Sequence, residues 1–342
     1  MSELEVIIKK VNKEMGSEVI SYGVNTPNIP RIPMSSPRLN YMLYGGVPMN
    51  KVIEFCGTEG GGKTTTALDL VANYQHLPDA RKVLYVDHEH ALEEYWATLL
   101  GVDVAGMIIY RPETESAEDI FDVCIELLKT GEIGCMVIDS LGSLVPKSII
   151  DENLDKQQMG GIAKVLTRVS NVIVPLLTKY KCTLVGINQV RDDMNSMYNP
   201  YTTPGGKAWK HACSLRLMFS KGSLIDEDGN ELKASAENPQ GNRVMIKALK
   251  MRGIRPDRTK GYYTLNYRTG IDYMLDTIDV AIELKLIVKK GGWYYFCDLE
   301  TGEISDEKIQ GLANLREYFK NNDDKFSDLY DKVYDMVGDM QL

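Results

Sequence analysis

The sequence predicts an α/β fold whose large core is a mostly parallel, doubly wound sheet. Between residues 34 and 220, short β-branched runs alternate with amphipathic stretches of helical periodicity, a pattern typical of parallel strands joined by helical crossovers. A glycine-rich loop lies between the first of these strands and the helical stretch that follows it. Buried strands are expected at residues 52–56, 83–87, 107–110, 135–139 and 183–188.

A short helix and a linker are expected before the core. The proline- and asparagine-rich stretch 24–33 breaks the preceding helical pattern, so residues 1–30 are predicted to be a helix and a linker. The apolar stripe of this helix packs either on its own core or on a neighbouring subunit, and the sequence leaves both open. The stripe is formed by Leu4, Ile7, Ile8, Val11 and Met15.

A small C-terminal domain is expected after the core. The polar segment 222–242 contains a DEDG turn between strands, and the apolar run 243–249 follows it, so the core is predicted to extend over residues 31–271. Residues 272–342 differ in character and predict a small domain of helices and strands. Its expected elements are a helix at 274–284, an aromatic strand at 292–297, a turn at 299–302 and then acid- and lysine-rich helices.

Composition excludes several classes of protein. Of 342 residues, 44% are hydrophobic and 25% are charged, which is ordinary for a globular protein and excludes a disordered or fibrous chain. The net charge is −9, from 39 basic and 48 acidic residues, so no global basic field attracts nucleic acid. Contact with nucleic acid would require local basic loops or a groove formed by assembly.

The cysteines and the apolar runs predict a cytoplasmic protein with no membrane partner. Six cysteines are scattered without a CxxC pair, which indicates reduced thiols rather than a disulfide framework or a zinc site. No uninterrupted apolar stretch approaches 18 residues, and the N-terminal 16 residues are charged throughout, unlike a signal peptide.

A phosphate-binding loop is predicted at residues 57–64, where GTEGGGKT fits the pattern GxxxxGK[ST] between a strand and a helix. Its glycines let backbone N–H groups surround a β-phosphate, Lys63 neutralises β- and γ-oxygens, and Thr64 offers a hydroxyl to Mg²⁺. The alternative is a glycine-rich turn without a ligand. The expected cofactor-binding residues here are Gly57, Thr58, Glu59, Gly60, Gly61, Gly62, Lys63, Thr64 and Thr65.

Two carboxylates follow neighbouring predicted strands. Asp139 ends the strand 135–139 and is expected to hold the water shell of Mg²⁺, an interpretation that is weak alone and strong beside the phosphate loop. Glu89 follows the strand 83–87 and is the candidate for orienting and polarising the water that attacks a γ-phosphate. Two histidines flank it, His88 and His90, for which structural hydrogen bonding is favoured over metal binding.

Eight segments, in one order, resemble the bacterial RecA recombinases and their phage relatives of the UvsX type over nearly the whole chain. The resemblance implies a RecA-like P-loop ATPase core that uses ATP and Mg²⁺. It implies an ATPase dependent on DNA, which forms helical filaments on single-stranded DNA and catalyses homologous pairing and strand exchange with duplex DNA. The segments are GGVPMN at 45–50, GTEGGGKTT at 57–65, DHEHAL at 87–92, VIDSLGSLVP at 137–146, INQVR at 187–191, NPYTTPGGKA at 199–208, RVMIKALKMRGIRPDR at 243–258 and VAIELKLIVKKGGWYYF at 280–296.

The resemblance also implies roles near the nucleotide. Glu89 corresponds to the glutamate that activates water, Trp96 to an aromatic residue stacked on adenine, and Tyr267 to one near the base. Gln189 corresponds to the glutamine that senses the γ-phosphate and transmits the signal to a DNA loop. Without the resemblance, Trp96 and Tyr267 would be ordinary core aromatics and Gln189 a capping amide.

Two segments resemble the family's DNA loops, and we call them the first loop (151–164) and the second loop (190–208). Backbone amides and cations would contact phosphates, and apolar side chains would wedge between bases, so recognition would be largely independent of sequence. The alternative for the second loop is a mobile surface loop. The implied DNA-binding residues are Met159, Gly160, Gly161, Lys164 and Arg168 at the first loop, and Arg191, Met194, Met197, Tyr198, Gly205, Gly206 and Lys207 in the second.

Lys250 and Arg252 resemble paired cations that reach across a subunit interface to a neighbour's γ-phosphate, which makes hydrolysis depend on assembly. An alternative pairing is Lys247 with Lys250. The pairing of Lys250 with Arg252 is preferred because Pro256 then also matches the family's pattern. Alternating cations on a strand can also be merely its solvated face. Further partners implied by the family are other copies of the chain, mediator proteins and single-strand-binding proteins.

The sequence departs from the family's pattern at a few positions. Asp192 and Asp193 follow Arg191 in the second loop and would repel phosphate, and the C-terminus lacks a concentrated acidic tail. Two rival functions remain open: a ring-forming helicase, which shares the core chemistry, and a P-loop phosphotransferase for a small molecule. A phosphotransferase would have no obvious use for the long loop that follows Gln189.

Overall fold

The computed structural model describes residues 2–16, 19–23, 29–150, 161–192, 201–227, 229–253, 255, 257–297 and 301–339. The chain forms two compact units, residues 1–30 and 31–342. The predicted boundary at residue 271 lies inside the second unit and stays a prediction. The helices are α1 (Glu3–Met15), α2 (Pro37–Leu43), α3 (Lys63–Gln75), α4 (Glu94–Leu99), α5 (Ala117–Lys129), α6 (Lys147–Ile150), α7 (Gly161–Lys179), α8 (Gly206–Ala212), α9 (Tyr273–Glu283), α10 (Leu312–Lys320) and α11 (Asp323–Asp339).

The strands include the five that the sequence predicts for the parallel core, β3 to β7, and several others that it does not predict. The strands are β1 (Arg31–Ile32), β2 (Val47–Pro48), β3 (Val52–Gly57), β4 (Lys82–Asp87), β5 (Met107–Tyr110), β6 (Ile133–Asp139), β7 (Thr183–Gln189), β8 (Arg191–Asp192), β9 (Tyr201–Thr202), β10 (Leu215–Ile225), β11 (Glu231–Leu232), β12 (Gly241–Met251), β13 (Lys260–Asn266), β14 (Gly270–Ile271), β15 (Ile287–Lys290), β16 (Trp293–Cys297) and β17 (Ile304–Gln310).

The first unit contains α1, at the bounds that the sequence predicts. Ser2 and Glu5 form a capping box, in which Ser2 Oγ accepts from Glu5 N at 3.3 Å and Glu5 Oε2 accepts from Ser2 N at 2.9 Å. The helix ends at Gly16, whose φ of 65° lies in the left-handed region. The apolar stripe of α1 is largely solvent-exposed, as Leu4 at 58% and Met15 at 67% show.

The central sheet has ten strands in the order β14-β13-β12-β10-β3-β7-β6-β4-β5, with β11 paired to β10. The six strands from β10 to β5 are parallel, and the remaining four pair antiparallel. The mostly parallel α/β fold is therefore confirmed. Two details at its margins were not predicted. Residues 31–32, at the end of the proline-rich stretch, form β1, and the first residues of the polar segment 222–242 still belong to β10, which ends at Ile225.

Two apolar layers enclose the parallel half of the sheet, because side chains of a strand alternate between its faces. Ile53 and Phe55 of β3 pack in one layer with Leu68 and Val71 of α3. The other layer is built from α5, α7 and the opposite faces of the same strands, and it contains Leu84, Phe121, Leu166, Ile173 and Leu184. Helices on both faces leave the carboxyl edge of the strands as the place where loops gather.

Among the described helices, only α7 is long and apolar enough to cross a membrane by length and composition. Its side chains Leu166, Ile173 and Leu177 are buried in the second core layer, so packing against the sheet accounts for their apolar character. A buried core helix passes the same test, and this observation is weak evidence for a membrane span.

The C-terminal part of the chain packs α9, α10 and α11 on a three-stranded antiparallel sheet, β15-β16-β17. The predicted helix at 274–284 and aromatic strand at 292–297 are present as α9 and β16. The expectation of helices directly after residue 302 is wrong, because β17 comes first. Six of its seven residues are exposed, so its sequence lacks the alternation of apolar and polar side chains that predicts a half-buried strand. The predicted turn at 299–302 falls partly outside the described residues.

Candidate nucleotide site and DNA loops

The phosphate loop connects β3, which ends at Gly57, to α3, which begins at Lys63. Gly57 packs so closely on β10 that a Cβ atom there would lie 2.1 Å from the carbonyl oxygen of Phe219. Gly62 caps α3 with a φ of 90°, and a Cβ atom would lie 2.9 Å from the Val244 side chain. Only glycine suits these two positions, which keeps backbone N–H groups unobstructed at the start of a helix.

Two residues that were not predicted from the sequence, Thr66 and Tyr263, support the phosphate loop. Thr66 Oγ1 donates to the carbonyl oxygen of Gly62 at 2.8 Å and lies 3.0 Å from the hydroxyl of Tyr263. Tyr263 is fully buried on β13, in the antiparallel part of the sheet. Its separation of 201 residues from Gly62 explains why no local motif points to it.

Lys63 and Thr64 lie at the base of the loop. Lys63 Nζ donates to the carbonyl oxygen of Thr58 at 2.7 Å, and burial lowers its pKa while Asp139 and Glu89 act in the opposite direction. Thr64 Oγ1 donates to Asp139 Oδ2 at 2.8 Å. A hydroxyl and a carboxylate oxygen side by side are the kind of hard ligands that Mg²⁺ prefers, so this pair fits the predicted metal role.

Asp139 has a second partner that the sequence did not indicate. The hydroxyl of Tyr85, on the neighbouring strand β4, donates to Asp139 Oδ2 at 3.0 Å. Burial raises the pKa of Asp139, and the hydrogen bonds from Thr64 and Tyr85 oppose that shift. Tyr85 therefore helps to keep the carboxylate in the ionised form that a cation needs.

Glu89 lies in the turn that follows β4, and the end of β6 holds this turn in place. The backbone N–H groups of His88 and Glu89 donate to the carbonyl oxygen of Asp139, at 2.9 and 3.3 Å. Ser140 Oγ donates to Glu89 Oε1, which fixes the carboxylate beside Asp139. Ser140 is a further residue that sequence reasoning missed, although it directly follows Asp139 in the quoted motif.

The histidines around Glu89 have structural partners. His88 Nδ1 lies 2.8 Å from Ser143 Oγ, and burial lowers the pKa of His88. His90 Nε2 lies 3.1 Å from the carbonyl oxygen of Pro112. Within the described ranges, no three metal-ligating side chains cluster together. The contacts favour the structural interpretation of both histidines.

Gln189 is the last residue of β7 and is exposed. It lies in register with Gly57 on the adjacent parallel strand β3, and the N–H of Val190 donates to the carbonyl oxygen of Gly57 at 3.4 Å. The sheet therefore places Gln189 beside the first residue of the phosphate loop.

The two aromatic residues expected near a base lie on different elements. Trp96 of α4 is half-buried against the first core layer. Tyr267 follows β13 and is 40% exposed, and its hydroxyl donates to Asn242 Oδ1 at 2.9 Å. The turn after Tyr267 meets the end of α4, because a Cβ atom on Gly270 would lie 3.2 Å from Leu100. Trp96 and Tyr267 thus belong to segments that contact each other.

The first loop is described only from Gly161, since Met159 and Gly160 lie outside the described residues. Lys164 and Arg168 are exposed one turn apart on α7, so both cations face solvent on the same side of that helix.

The second loop is framed at both ends, while Met194, Met197 and Tyr198 lie outside the described residues. Arg191 of β8 pairs with Thr202 of β9 in an antiparallel ladder, which was not predicted. Gly205 and Gly206, with φ of 104° and 70°, then open α8, and Lys207 is exposed on its first turn. A Cβ atom on Gly205 would lie 2.7 Å from Leu166 of α7, so this end of the second loop packs on the helix whose first residues end the first loop.

The proposed interface cations meet at the end of α8. Lys250 Nζ donates to the carbonyl oxygens of Lys210 and His211, both at 2.8 Å, and Arg252 donates to that of His211 at 3.3 Å. Burial and the charge of Arg252 lower the pKa of Lys250. Lys247 lies on the same strand as Lys250, is exposed, and is in register with Met218 and Lys260. Lys250 and Arg252 contact the same carbonyl oxygen, and the choice between the two pairings stays a prediction.

A glycine-rich loop between strand and helix, with a carboxylate at the end of a nearby parallel strand, defines a P-loop nucleotide-binding protein. The comparisons with known proteins narrow this class. The chain matches the family model of the RecA N-terminal domain over residues 2–272 and that of the RecA C-terminal domain over residues 276–338. It therefore belongs to the RecA family, whose members are DNA-dependent ATPases of recombination and repair.

Curated relatives with similar sequences are named Protein RecA. One from Ruminococcus albus is 31% identical over 334 residues, covering 96% of this chain and 79% of the relative. One from Clostridium novyi is 30% identical and covers 97% of this chain and 91% of the relative. One from Acholeplasma laidlawii is 31% identical, with 96% and 95% covered. The similarity thus spans nearly all of this chain and 79% to 95% of these three relatives.

Proposed function

We propose that this RecA-family ATPase polymerises on single-stranded DNA as a helical filament and catalyses pairing and strand exchange with homologous duplex DNA. One juxtaposition carries the proposal. Gln189 lies in register with Gly57 of the phosphate loop, and its strand continues into the ladder that frames the second loop. A nucleotide on the phosphate loop and a DNA strand on the second loop would therefore share one strand of the sheet.

The site residues divide the work of hydrolysis. The amides of residues 57–63 and the Lys63 ammonium would hold the β- and γ-phosphates, and Thr64 and Asp139 would hold Mg²⁺ directly and through its water shell. Bound there, Mg²⁺ would neutralise charge that develops on the phosphate oxygens. Glu89, held by Ser140, would orient the attacking water and accept its proton.

Assembly completes the site in this proposal. Lys250 and Arg252 would stabilise the γ-phosphate of an adjacent subunit, so hydrolysis would depend on neighbours in the filament. In the single chain both side chains contact the carbonyl end of α8, whose first turn is the end of the second loop. On filament formation, Lys250 and Arg252 would exchange these carbonyl partners for the γ-phosphate of the adjacent subunit.

Contact with DNA would come from local cations instead of the whole surface. The net charge of −9 is compatible with binding if the exposed cations Lys164, Arg168 and Lys207 face the filament axis while acids face solvent. The chain would act in the cytoplasm, and mediator and single-strand-binding proteins would be its further partners.

The first experiment is ATP hydrolysis with and without single-stranded DNA, with negative-stain images of the same samples. We expect strong stimulation by DNA together with helical filaments, and Lys63→Ala should abolish turnover in both conditions because its charge is lost from the phosphates. Turnover that is indifferent to DNA, with discrete particles, would instead indicate a phosphotransferase. Stimulation with closed rings would indicate a helicase.

A further inference from the structure

A buried carboxylate lies between the phosphate-loop strand and the second loop. Glu54 is on β3, three residues before Gly57, and its side chain is 0% exposed. Its neighbours in the strand, Ile53 and Phe55, belong to the first apolar layer. Burying a carboxylate is costly unless its oxygens are paired, and apolar packing would fill the same space at lower cost. Packing alone therefore does not account for a glutamate at this position.

Three elements supply partners to Glu54. Arg216, its direct neighbour in register on β10, forms an ion pair with Oε2. The indole Nε1 of Trp209, on α8, donates to Oε1 at 3.1 Å. Asn188 Nδ2, on β7, donates to the same oxygen at 2.9 Å. Glu54 thus joins β7, which ends at Gln189, to α8, which begins at Gly206 inside the second loop.

Two of these partners also hold the backbone and side chains at the end of the second loop. Asn188 Nδ2 donates to the carbonyl oxygen of Pro204 at 3.0 Å. Arg216 Nη2 donates to Thr203 Oγ1 at 3.1 Å. Residues 203 and 204 lie between β9 and α8, so a displacement of this stretch changes bonds made by Asn188 and Arg216, both of which also bond to Glu54.

Asn188 has an unused hydrogen-bonding group in this arrangement. Its side chain is buried, and Oδ1 has no donor among the described residues. An unpaired buried acceptor raises the free energy of the arrangement, so a shift that brings it a donor is favoured. Asn188 immediately precedes Gln189, which lies in register with Gly57. A small shift of Asn188 would therefore change the position of Gln189 beside the phosphate loop.

We propose that Glu54 is a positioning residue that couples the second loop to the nucleotide site through Asn188 and Arg216. Displacement of residues 203–204 by bound DNA would move Asn188, and with it Gln189, relative to Gly57. This inference rests on the proposed function, because it assigns DNA to the second loop. It concerns coupling only, since the Glu54 side chain is fully buried and presents no atom to nucleotide or DNA.

The test compares Asn188→Ala and Glu54→Gln with the unmodified chain. Four quantities are measured: the ATPase rate without DNA, the rate with saturating single-stranded DNA, the Kd of a fluorescent ATP analogue, and the Kd of a fluorescent oligonucleotide with and without ATP. We expect the analogue's Kd and the rate without DNA to change by less than about 3-fold, while stimulation by DNA falls about 10-fold. The effect of ATP on oligonucleotide affinity should fall as well, because Asn188 and Arg216 would carry the coupling between the two binding sites.

A matched variant separates coupling from loss of packing. Asn40→Ala removes another buried amide, whose side chain donates to Met34 O and accepts from Met34 N, each at 2.8 Å, in the segment around α2. We expect it to lower stability in urea without changing stimulation by DNA. Asn188→Ala keeps the ion pair between Glu54 and Arg216 and so remains informative where Glu54→Gln fails to fold.

The outcomes distinguish the two proposals. Unchanged stimulation in Asn188→Ala overturns the coupling. A parallel loss of nucleotide binding, DNA-free turnover and stimulation also overturns it, because that result indicates a purely structural role. An unmodified chain that DNA does not stimulate overturns the proposed function as well as the coupling, whereas a stimulated chain with uncoupled variants supports both.

Discussion

The hydroxyl of Ser140 donates a hydrogen bond to Glu89 Oε1, across the gap between the ends of two parallel strands. Ser140 Oγ also lies 3.3 Å from Ser143 Oγ, which in turn lies 2.8 Å from His88 Nδ1. A carboxylate that must orient one water molecule needs a fixed direction, and this set of hydrogen bonds supplies it.

Ser140→Ala should lower the rate of DNA-stimulated ATP hydrolysis by about 10-fold, because Glu89 keeps its charge but loses the donor that orients it. The Kd for ATP should remain unchanged, since Ser140 does not belong to the phosphate loop. Steady-state kinetics give the two values. Ser170→Ala removes another buried hydroxyl, one that bonds to Leu166 O within α7, and serves as the control. Equal losses in both variants would contradict the orienting role.

Glu89→Gln should bind ATP and single-stranded DNA normally and lower hydrolysis by about 100-fold or more, because the amide can still accept from Ser140 but cannot take a proton. Filaments should persist on DNA with ATP, since they would no longer turn over. Rapid-quench hydrolysis and electron microscopy measure these effects, with the exposed Glu94→Gln as control. Hydrolysis at the parental rate would show that another group activates water.

Tyr85→Phe should raise the Mg²⁺ concentration needed for half-maximal hydrolysis by about 10-fold. Burial already raises the pKa of Asp139, and losing the Tyr85 donor raises it further, so ionisation needs a higher pH. The acidic limb of the pH–rate profile should therefore move to higher pH. Tyr74→Phe, whose buried hydroxyl accepts from Arg81 N at 3.1 Å, is the control and should leave that limb in place. An unshifted limb in Tyr85→Phe would remove this role.

Deletion of residues 1–16 should leave a folded ATPase core that polymerises poorly. The helix α1 is complete in itself, with its own caps, and carries an exposed apolar stripe suited to another subunit. Urea unfolding should retain a cooperative transition, whereas negative-stain images should show short particles in place of filaments. Long filaments from the deleted chain would exclude docking of α1 on a neighbour.

Asp276→Asn should remove part of the pH dependence of folding stability. Asp276 is buried, accepts from Ser36 Oγ at 2.6 Å and from Thr264 N at 3.1 Å, and burial raises its pKa from 3.8 to about 8. The folded state thus holds a proton that the unfolded state releases, so stability falls as pH rises through this range, by at most about 1.4 kcal/mol per pH unit. Above the folded pKa the loss is complete.

The measurement is urea unfolding at pH 6 and pH 8.5 for the unmodified chain, Asp276→Asn and the exposed Asp306→Asn. The asparagine resembles the protonated carboxyl and does not titrate. The free energy of unfolding of Asp276→Asn, relative to that of the unmodified chain, should therefore increase with pH. Equal slopes for all three proteins would show that Asp276 is already ionised in the folded state.

Local patterns predicted the parallel core and the nucleotide residues because each depends on short stretches of sequence. The phosphate loop and Asp139 follow buried strands that the apolar runs reveal directly. Tyr85 and Tyr263 were not found, because their roles depend on strand neighbours far away in the chain. Glu54 was missed for the same reason, since its partners come from β7, α8 and β10.

The antiparallel elements were harder to predict than the parallel ones. Parallel strands buried on both faces form continuous apolar runs, whereas β17 is a mostly exposed strand with three charged residues among seven, and β8 and β9 have two residues each. Such short or exposed strands are specified by their partners more than by their own composition.

The ladder between Arg191 and Thr202 also has an evolutionary consequence. It holds Asp192 and Tyr201, the residues on either side of the segment 193–200, at the spacing of adjacent strands, roughly 4.8 Å. The entropy of closing such a segment changes slowly with length, by about 0.6 kcal/mol for each doubling. Insertions and replacements between these two residues would leave the bonds from Asn188 and Arg216 to residues 203 and 204 in place, so under the proposed function one ATPase scaffold could change its contacts with DNA by exchanging a single short segment.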